Sequence, residues 1–260
     1  MSRAVLSFLV IDLDLVQSAP MPTEAVTSEP ANASRTARAR ARAELTKEIK
    51  DVARRQLAEA GSASISLRSV ARELGMVSSA VYRYFPSHED LLTALIIDAY
   101  EAVGTAGERA LDGVHGSVAM RWLRLCEAIR NWAKVNPHEY ALIYGSPVPG
   151  YRAPVDTVAP AARVSLLLLG LLVDGVGSGE IAFAEEPMPR PVHADLAALR
   201  ALAAEGVPDV VLCRGLAVWA QLFGTVSFEL FGHLHNVVHD YDSMFRHQMR
   251  RAGRYLMTGA

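Results

Sequence analysis

Between residues 41 and 105 the apolar positions recur at helical spacing, cut by short polar breaks. Leu45, Ile49, Val52, Ala53, Gln56 and Leu57 keep a 3.6-residue period, which predicts a helix over about 41–60 that stops at Gly61. Ser66 is placed to cap a second helix, with Ala71 at its middle and Gly75 at its end. Val77-Ser78-Ser79 opens a third, over roughly 78–84. Val70, Leu74 and Val81 supply a miniature core, Ala71 is small where the helices cross, and Gly75 can take the positive φ of the turn. This is the pattern of a helix-turn-helix. Phe85-Pro86 breaks the third helix, and Ser87-His88-Glu89-Asp90 is a capping-box pattern opening a fourth over about 87–110. Leu91, Leu92, Leu95 and Ile96 face inward there.

Further helices are predicted over 117–135, 137–144, 158–175, 192–205, 208–238 and 241–257, separated by Gly or Pro. No stretch alternates with period two, so the fold class is all-α. The longest apolar run, Val164–Val173, is too short to span a bilayer. Ala4–Ile11 is apolar, but Asp12 and Asp14 interrupt it before any cleavage site, which argues against secretion. Residues 18–41 are rich in Pro, Ala, Ser and Arg and read as a disordered arm.

Charge sharpens this division. Residues 35–88 hold 11 basic and 5 acidic side chains, whereas 89–260 hold 14 and 19. A basic module on an acidic body fits a polyanion-binding head joined to a body with another task. What the helix-turn-helix leaves outside is polar, basic and tyrosine-rich, as suits a helix lying in a DNA groove. Cys126 and Cys213, the two cysteines, sit in apolar helical surroundings and read as buried thiols of a reducing cytosol.

The order of arm, stripe helix, helix-turn-helix ending in Tyr82-Arg83-Tyr84-Phe85-Pro86-Ser87, capped long helix and helical body resembles the TetR family of bacterial transcriptional regulators. The motif L-x-x-V-A-x-x-L-G-x-x-x-x-x-V-Y-x-Y-F-x-S-x-E-D-L carries that resemblance. The body also resembles the WHG-type ligand domain, through Trp132-Ala133, Asn136-Pro137, Tyr140, Leu142–Gly145, Pro147–Tyr151 and Trp219–Gly224. Phe223 stands where that subclass often has histidine, so no role of that histidine carries over.

The resemblance implies a three-helix DNA-binding head with the helix-turn-helix and a larger helical ligand-binding and dimerisation domain. The expected division is 1–40 as a basic arm, 41–88 as head and 89–260 as body. It places Val77, Ser78, Ser79 and Ala80 against base edges. Arg68, with Ser66 at the same helix start, lies where the family can read a guanine by gripping O6 and N7; a phosphate contact or a solvent-exposed charge is the alternative. Tyr82, Arg83 and Tyr84 match the cluster that fixes register on phosphates. His88 departs from a common lysine and would contact phosphate from the helix start. Arg35, Arg38, Arg40 and Arg42 either track the duplex or form a solvated tail.

In the body, Trp122, Cys126, Ile129, Tyr140, Tyr144, Trp219 and Phe223 suit the family's apolar pocket for a small apolar or amphipathic ligand, each also being a plausible core residue. The Pro- and Gly-rich loop 144–151 is expected at its rim. The helices 208–238 and 241–257 resemble the pair through which members dimerise. His235 and His239, four apart beside His233, either share a face that suits a metal or complement a helix end. No residue set calls for a cofactor. The expectation is a cytoplasmic homodimeric repressor released from a palindromic operator by a small molecule, with no role at a membrane. The alternative is a DNA-binding or architectural protein with no effector. An enzyme is not expected, since no Ser/His/Asp order, phosphate loop or paired carboxylates occur.

Overall fold

The computed structural model describes residues 30–61 and 65–259. They form ten α-helices and, among the described residues, no strand. The helices are α1 Pro30–Ala60, α2 Leu67–Glu73, α3 Ser78–Tyr82, α4 His88–Leu111, α5 Val118–Val135, α6 Pro137–Tyr144, α7 Val158–Gly177, α8 Arg190–Ala203, α9 Asp209–Leu230 and α10 Tyr241–Thr258. One 3-10 turn, Val155–Thr157, precedes α7.

Two differences from the sequence reading have physical causes. First, α1 begins at Pro30, so residues 30–40 are helical where a disordered arm was expected. Ala and Arg are among the best helix formers, and Pro is tolerated in the first turn, where its missing N–H has no partner to lose. The rest of the expected arm lies outside the described residues. Second, α9 ends at Leu230 instead of running to 238. Gly232 and Asn236 both take positive φ, +76° and +68°, and residues 231–237 fold into turns.

Two compact units result, and the division falls inside α4 at Ile96/Ile97 rather than at 88/89. The head comprises the described residues up to Ile96 together with Pro147–Pro154. Its core is built from Ile49, Val52, Ala53 and Leu57 of α1, Val70 and Ala71 of α2, Val81 of α3 and Leu91, Leu92 and Leu95 of α4, all buried. Glu73 ties α2 to α1 by accepting from Arg55 at 2.9 Å and Gln56 at 2.8 Å.

The body comprises Ile97–Ser146 and the chain from Val155 onward. There α10 packs on α5 and α9, and α9 on α7 and α8. Val155–Gly177 and Asp209–Leu230 are each long and apolar enough to cross a membrane by length and composition, which the length of the run at 164–173 had concealed. Both are elements of this bundle, with core faces made by Val164, Leu168 and Leu172 and by Val211, Val218, Leu222 and Val226.

Candidate nucleic-acid interface and body cavity

The helix-turn-helix is set by its caps. Ser66 Oγ accepts from the Ser69 N–H at 3.1 Å while Ser69 Oγ accepts from the Ser66 N–H at 3.3 Å, a reciprocal box at the start of α2. At the other end Gly75 N–H donates to Arg72 O and Met76 N–H to Ala71 O, with Gly75 at φ +66°. This pair of bonds closes the helix through a left-handed residue, the conformation that favours glycine. The chain then turns into α3.

The face this turn leaves outside holds most of the expected contacts. Val77 is 72% and Tyr82 41% exposed, and Ser79, Arg68 and Arg83 are exposed as well. Arg68, one residue into α2, has no ion-pair partner among the described residues. Ser78 is half-buried. Ala80 is a correction: it is buried beside Val81, because in a five-residue helix the two positions after Ser79 turn into the head core.

Arg42 and Tyr84 come together although 42 positions separate them in sequence. The Arg42 guanidinium lies 5.0 Å from the Tyr84 ring centroid, and Nη2 donates to the Arg83 carbonyl at 3.4 Å. The ring is thereby held half-buried with a cation on its face. Arg38 and Arg40 are exposed on α1, and the side chain of Arg35 lies outside the described residues. Ser87 caps α4, accepting from the Asp90 N–H at 3.1 Å. His88 follows it, but its Nε2 is buried and lacks a hydrogen-bond partner, so that nitrogen does not face a phosphate.

In the body the seven expected pocket residues separate into two groups. Trp122, Cys126 and Ile129 are fully buried core on α5. Trp122 Nε1 donates to the Met249 carbonyl at 2.8 Å, which fixes the indole against α10. Burial pushes the Cys126 thiol well above its ordinary range. Cys213 is only half-buried, its Sγ 4.0 Å from Met188 Sδ.

The other four form an aromatic string: the ring centroid of Tyr144 lies 4.2 Å from that of Phe223, Phe223's 4.7 Å from Trp219's, and Tyr140's 5.2 Å from Tyr144's. Tyr140 OH lies 3.0 Å from the Phe223 carbonyl and 2.8 Å from Ser227 Oγ. Burial raises its phenol to about 12.

A cavity of about 30 Å³ lies between α7, α8 and α9, walled by Leu168, Leu169, Leu172, Leu199, Leu216 and Trp219 among others. Trp219 is the member of the expected set that reaches it. The three α7 leucines were missed because α7 reads as a continuous apolar run, in which periodicity marks no single face. The loop expected at a pocket rim also departs, since Pro147–Pro154 packs with the head.

The histidines near the end of α9 fall on turns, so the spacing of His235 and His239 puts them on no common helical face. Among the described residues no three His, Cys, Asp or Glu side chains converge on a metal-sized site.

Residues 49–95 match the family described as bacterial regulatory proteins, tetR family, and residues 122–252 match the tetracyclin repressor-like C-terminal domain. The HTH-type transcriptional regulator Rv1816 of Mycobacterium tuberculosis is 40% identical over 197 residues, covering 74% of this chain and 83% of its own length. The solved structure of the regulatory protein SCO4313 is 33% identical, with a TM-score of 0.67, over 82% of this chain and 97% of that one. A protein from Rhodococcus sp. RHA1, 21% identical with a TM-score of 0.62 over 82% and 95%, shares the fold.

Proposed function

The chain belongs to the TetR family of DNA-binding transcriptional regulators, and on that premise we propose that it is a cytoplasmic repressor released from a palindromic operator by a small apolar or amphipathic molecule. The observation that carries this reading is a head whose outward face combines Val77, Ser79, Tyr82 and Arg83 with Arg68, which has no ion-pair partner among the described residues. Arg68 reads a guanine, Val77 touches a thymine methyl, and Ser78 and Ser79 accept either base class. Tyr82, Arg83 and Tyr84 fix register on phosphates, and Arg42, stacked on Tyr84, adds a cation to the same cluster. None of these roles is catalytic, and the chain is not read as an enzyme.

Two copies associate through α9 and α10. Support comes from an outward row on α9 of Ala217, Gln221, Gly224 and Phe228, with Phe231 exposed just past its end and Met244 and Tyr255 exposed on α10. Two-fold pairing then sets two heads on half-sites about one DNA turn apart.

The effector enters the cavity beside Trp219, whose leucine walls select hydrocarbon. It shifts DNA affinity only by binding one pose of the protein better than another. A second reading, a regulator without an effector, is favoured by the cavity's small size and by the closely packed aromatic string next to it. Fluorescence anisotropy with DNA upstream of the gene, repeated against a metabolite panel, separates the two. An apolar compound that weakens duplex binding supports the first. A panel without effect, with DNA binding intact, supports the second.

A further inference from the structure

Pro147–Pro154 joins α6 to the 3-10 turn before α7, so both its flanks are body elements, yet the segment packs with the head. It is also stiff. Pro147, Pro149 and Pro154 preset φ along it. Val148–Tyr151 is a turn in which the Tyr151 N–H donates to the Val148 carbonyl at 3.2 Å, with Pro149 second and Gly150 third at φ +80°. Those residues in that order are the ones a type II turn requires. The turn presents Tyr151 to the first half of α4, where its hydroxyl lies 2.9 Å from Thr93 Oγ1. Burial raises the Tyr151 phenol, so it stays neutral and keeps its proton.

On one side this segment follows Tyr144, packed on Phe223, and on the other it leads into α7, whose Leu168, Leu169 and Leu172 wall the cavity. We propose that Pro147–Pro154 is a strap through which the DNA-binding head and the helices α6 and α7 bias one another, fastened by the Tyr151–Thr93 hydrogen bond. This deepens the ligand-responsive reading and rests on it. A glycine-serine linker of equal length would absorb a displacement of α6 or α7 as a flexible coil, whereas a proline-set turn passes it on. The chain thus passes between the two units inside α4 and again at the two ends of this segment.

Coupling between two sites is reciprocal, so DNA on the head must alter the opening of α6 and α7, and no effector is needed to see it. The duplex for the test is one that the full-length chain itself selects from a randomised pool. Hydrogen exchange across 137–144 and 155–177 is followed with and without saturating duplex in wild type, Tyr151→Phe, Thr93→Val and Thr93→Ser. In wild type and Thr93→Ser, duplex slows exchange there by on the order of fivefold or more. In Tyr151→Phe and Thr93→Val that slowing falls by more than half, while duplex affinity stays within about threefold of wild type, as expected for one half-exposed hydrogen bond. Equal slowing in all four proteins, or none in wild type with duplex bound, overturns the strap. Slowing that depends on Tyr151 while no small molecule shifts duplex affinity upholds the strap and sinks the effector reading.

Discussion

Arg130 and Glu229 meet as a bidentate pair inside the body: Nε donates to Oε2 and Nη2 to Oε1, each at 2.7 Å. Their side chains are 7% and 12% exposed. The same guanidinium reaches Asp242 Oδ1 at 2.7 Å and stands 4.9 Å over the Phe245 ring. One arginine of α5 therefore holds the end of α9 and the beginning of α10, on either side of the turns at 231–237.

Removing one partner of this pair leaves a desolvated charge. Glu229→Leu is expected to lower unfolding free energy in urea by about 3 kcal/mol, because Asp242 alone cannot replace two charge-assisted bonds. The double change Arg130→Met with Glu229→Leu should recover most of that loss, since a buried ion pair gains little over packed apolar side chains. Equal destabilisation by single and double variants would show that the pair's charge is not what matters.

The two arginines of the head are predicted to differ in kind. Arg68→Ala should relax preference at one operator position by about 1–3 kcal/mol, leaving the others unchanged. Arg42→Ala should weaken every duplex alike and reduce the salt slope of binding by about one. Tyr84→Ala should also weaken every duplex alike, since its ring carries Arg42. Affinity profiles across single-base operator variants at several salt concentrations check all three. A sequence-blind loss from Arg68→Ala would remove it from base reading.

The contrast between head and body in what the sequence revealed has a physical origin. Ser66, Gly75, Ser87 and Phe85-Pro86 punctuate the head through local bonds and φ requirements, so caps and turns could be placed from residue type alone. Ala80 escaped because in so short a helix the inward direction depends on how α3 lies on α2. The body's pocket depends on which of many leucines remain unpacked, and that is decided by contacts among α7, α8 and α9. Trp122 and Trp219 look alike in sequence, yet one is pinned by the Met249 carbonyl and the other borders empty space. The strap was misread for a related reason, since nothing local to Tyr151 names Thr93, 58 residues earlier, as its partner.

Beside Tyr144, whose phenol burial also raises, Tyr140 sets part of an alkaline limit. Its phenol is raised to about 12 by burial in the fold, against about 10 in an unfolded chain. The neutral ring's contribution is thus fully present below pH about 10 and is lost as pH rises through about 12. Wild-type stability should fall over that window, and Tyr140→Phe should flatten the fall while removing the bonds to Phe223 O and Ser227. Unfolding followed at a series of alkaline pH values tests this, and an unchanged slope in the variant would move the cause elsewhere.

Gly224 offers a clean test of association through α9. A Cβ built there meets no heavy atom within 4 Å, and the residue is exposed while Leu222 and Val226 beside it are buried. Gly224→Glu therefore starts from open space on an exposed position, and it replaces a poor helix former by a better one, so monomer stability should hold or rise. Phe228, 52% exposed, lies one turn further along the same row. In a two-fold interface each substitution occurs twice, and two carboxylates would meet close to the axis with no cation on that row to pair with them. Sedimentation should then show Gly224→Glu at half the wild-type mass, and duplex binding should weaken sharply because each head grips a half-site alone. A variant that keeps the wild-type mass would exclude this face of α9 from the dimer.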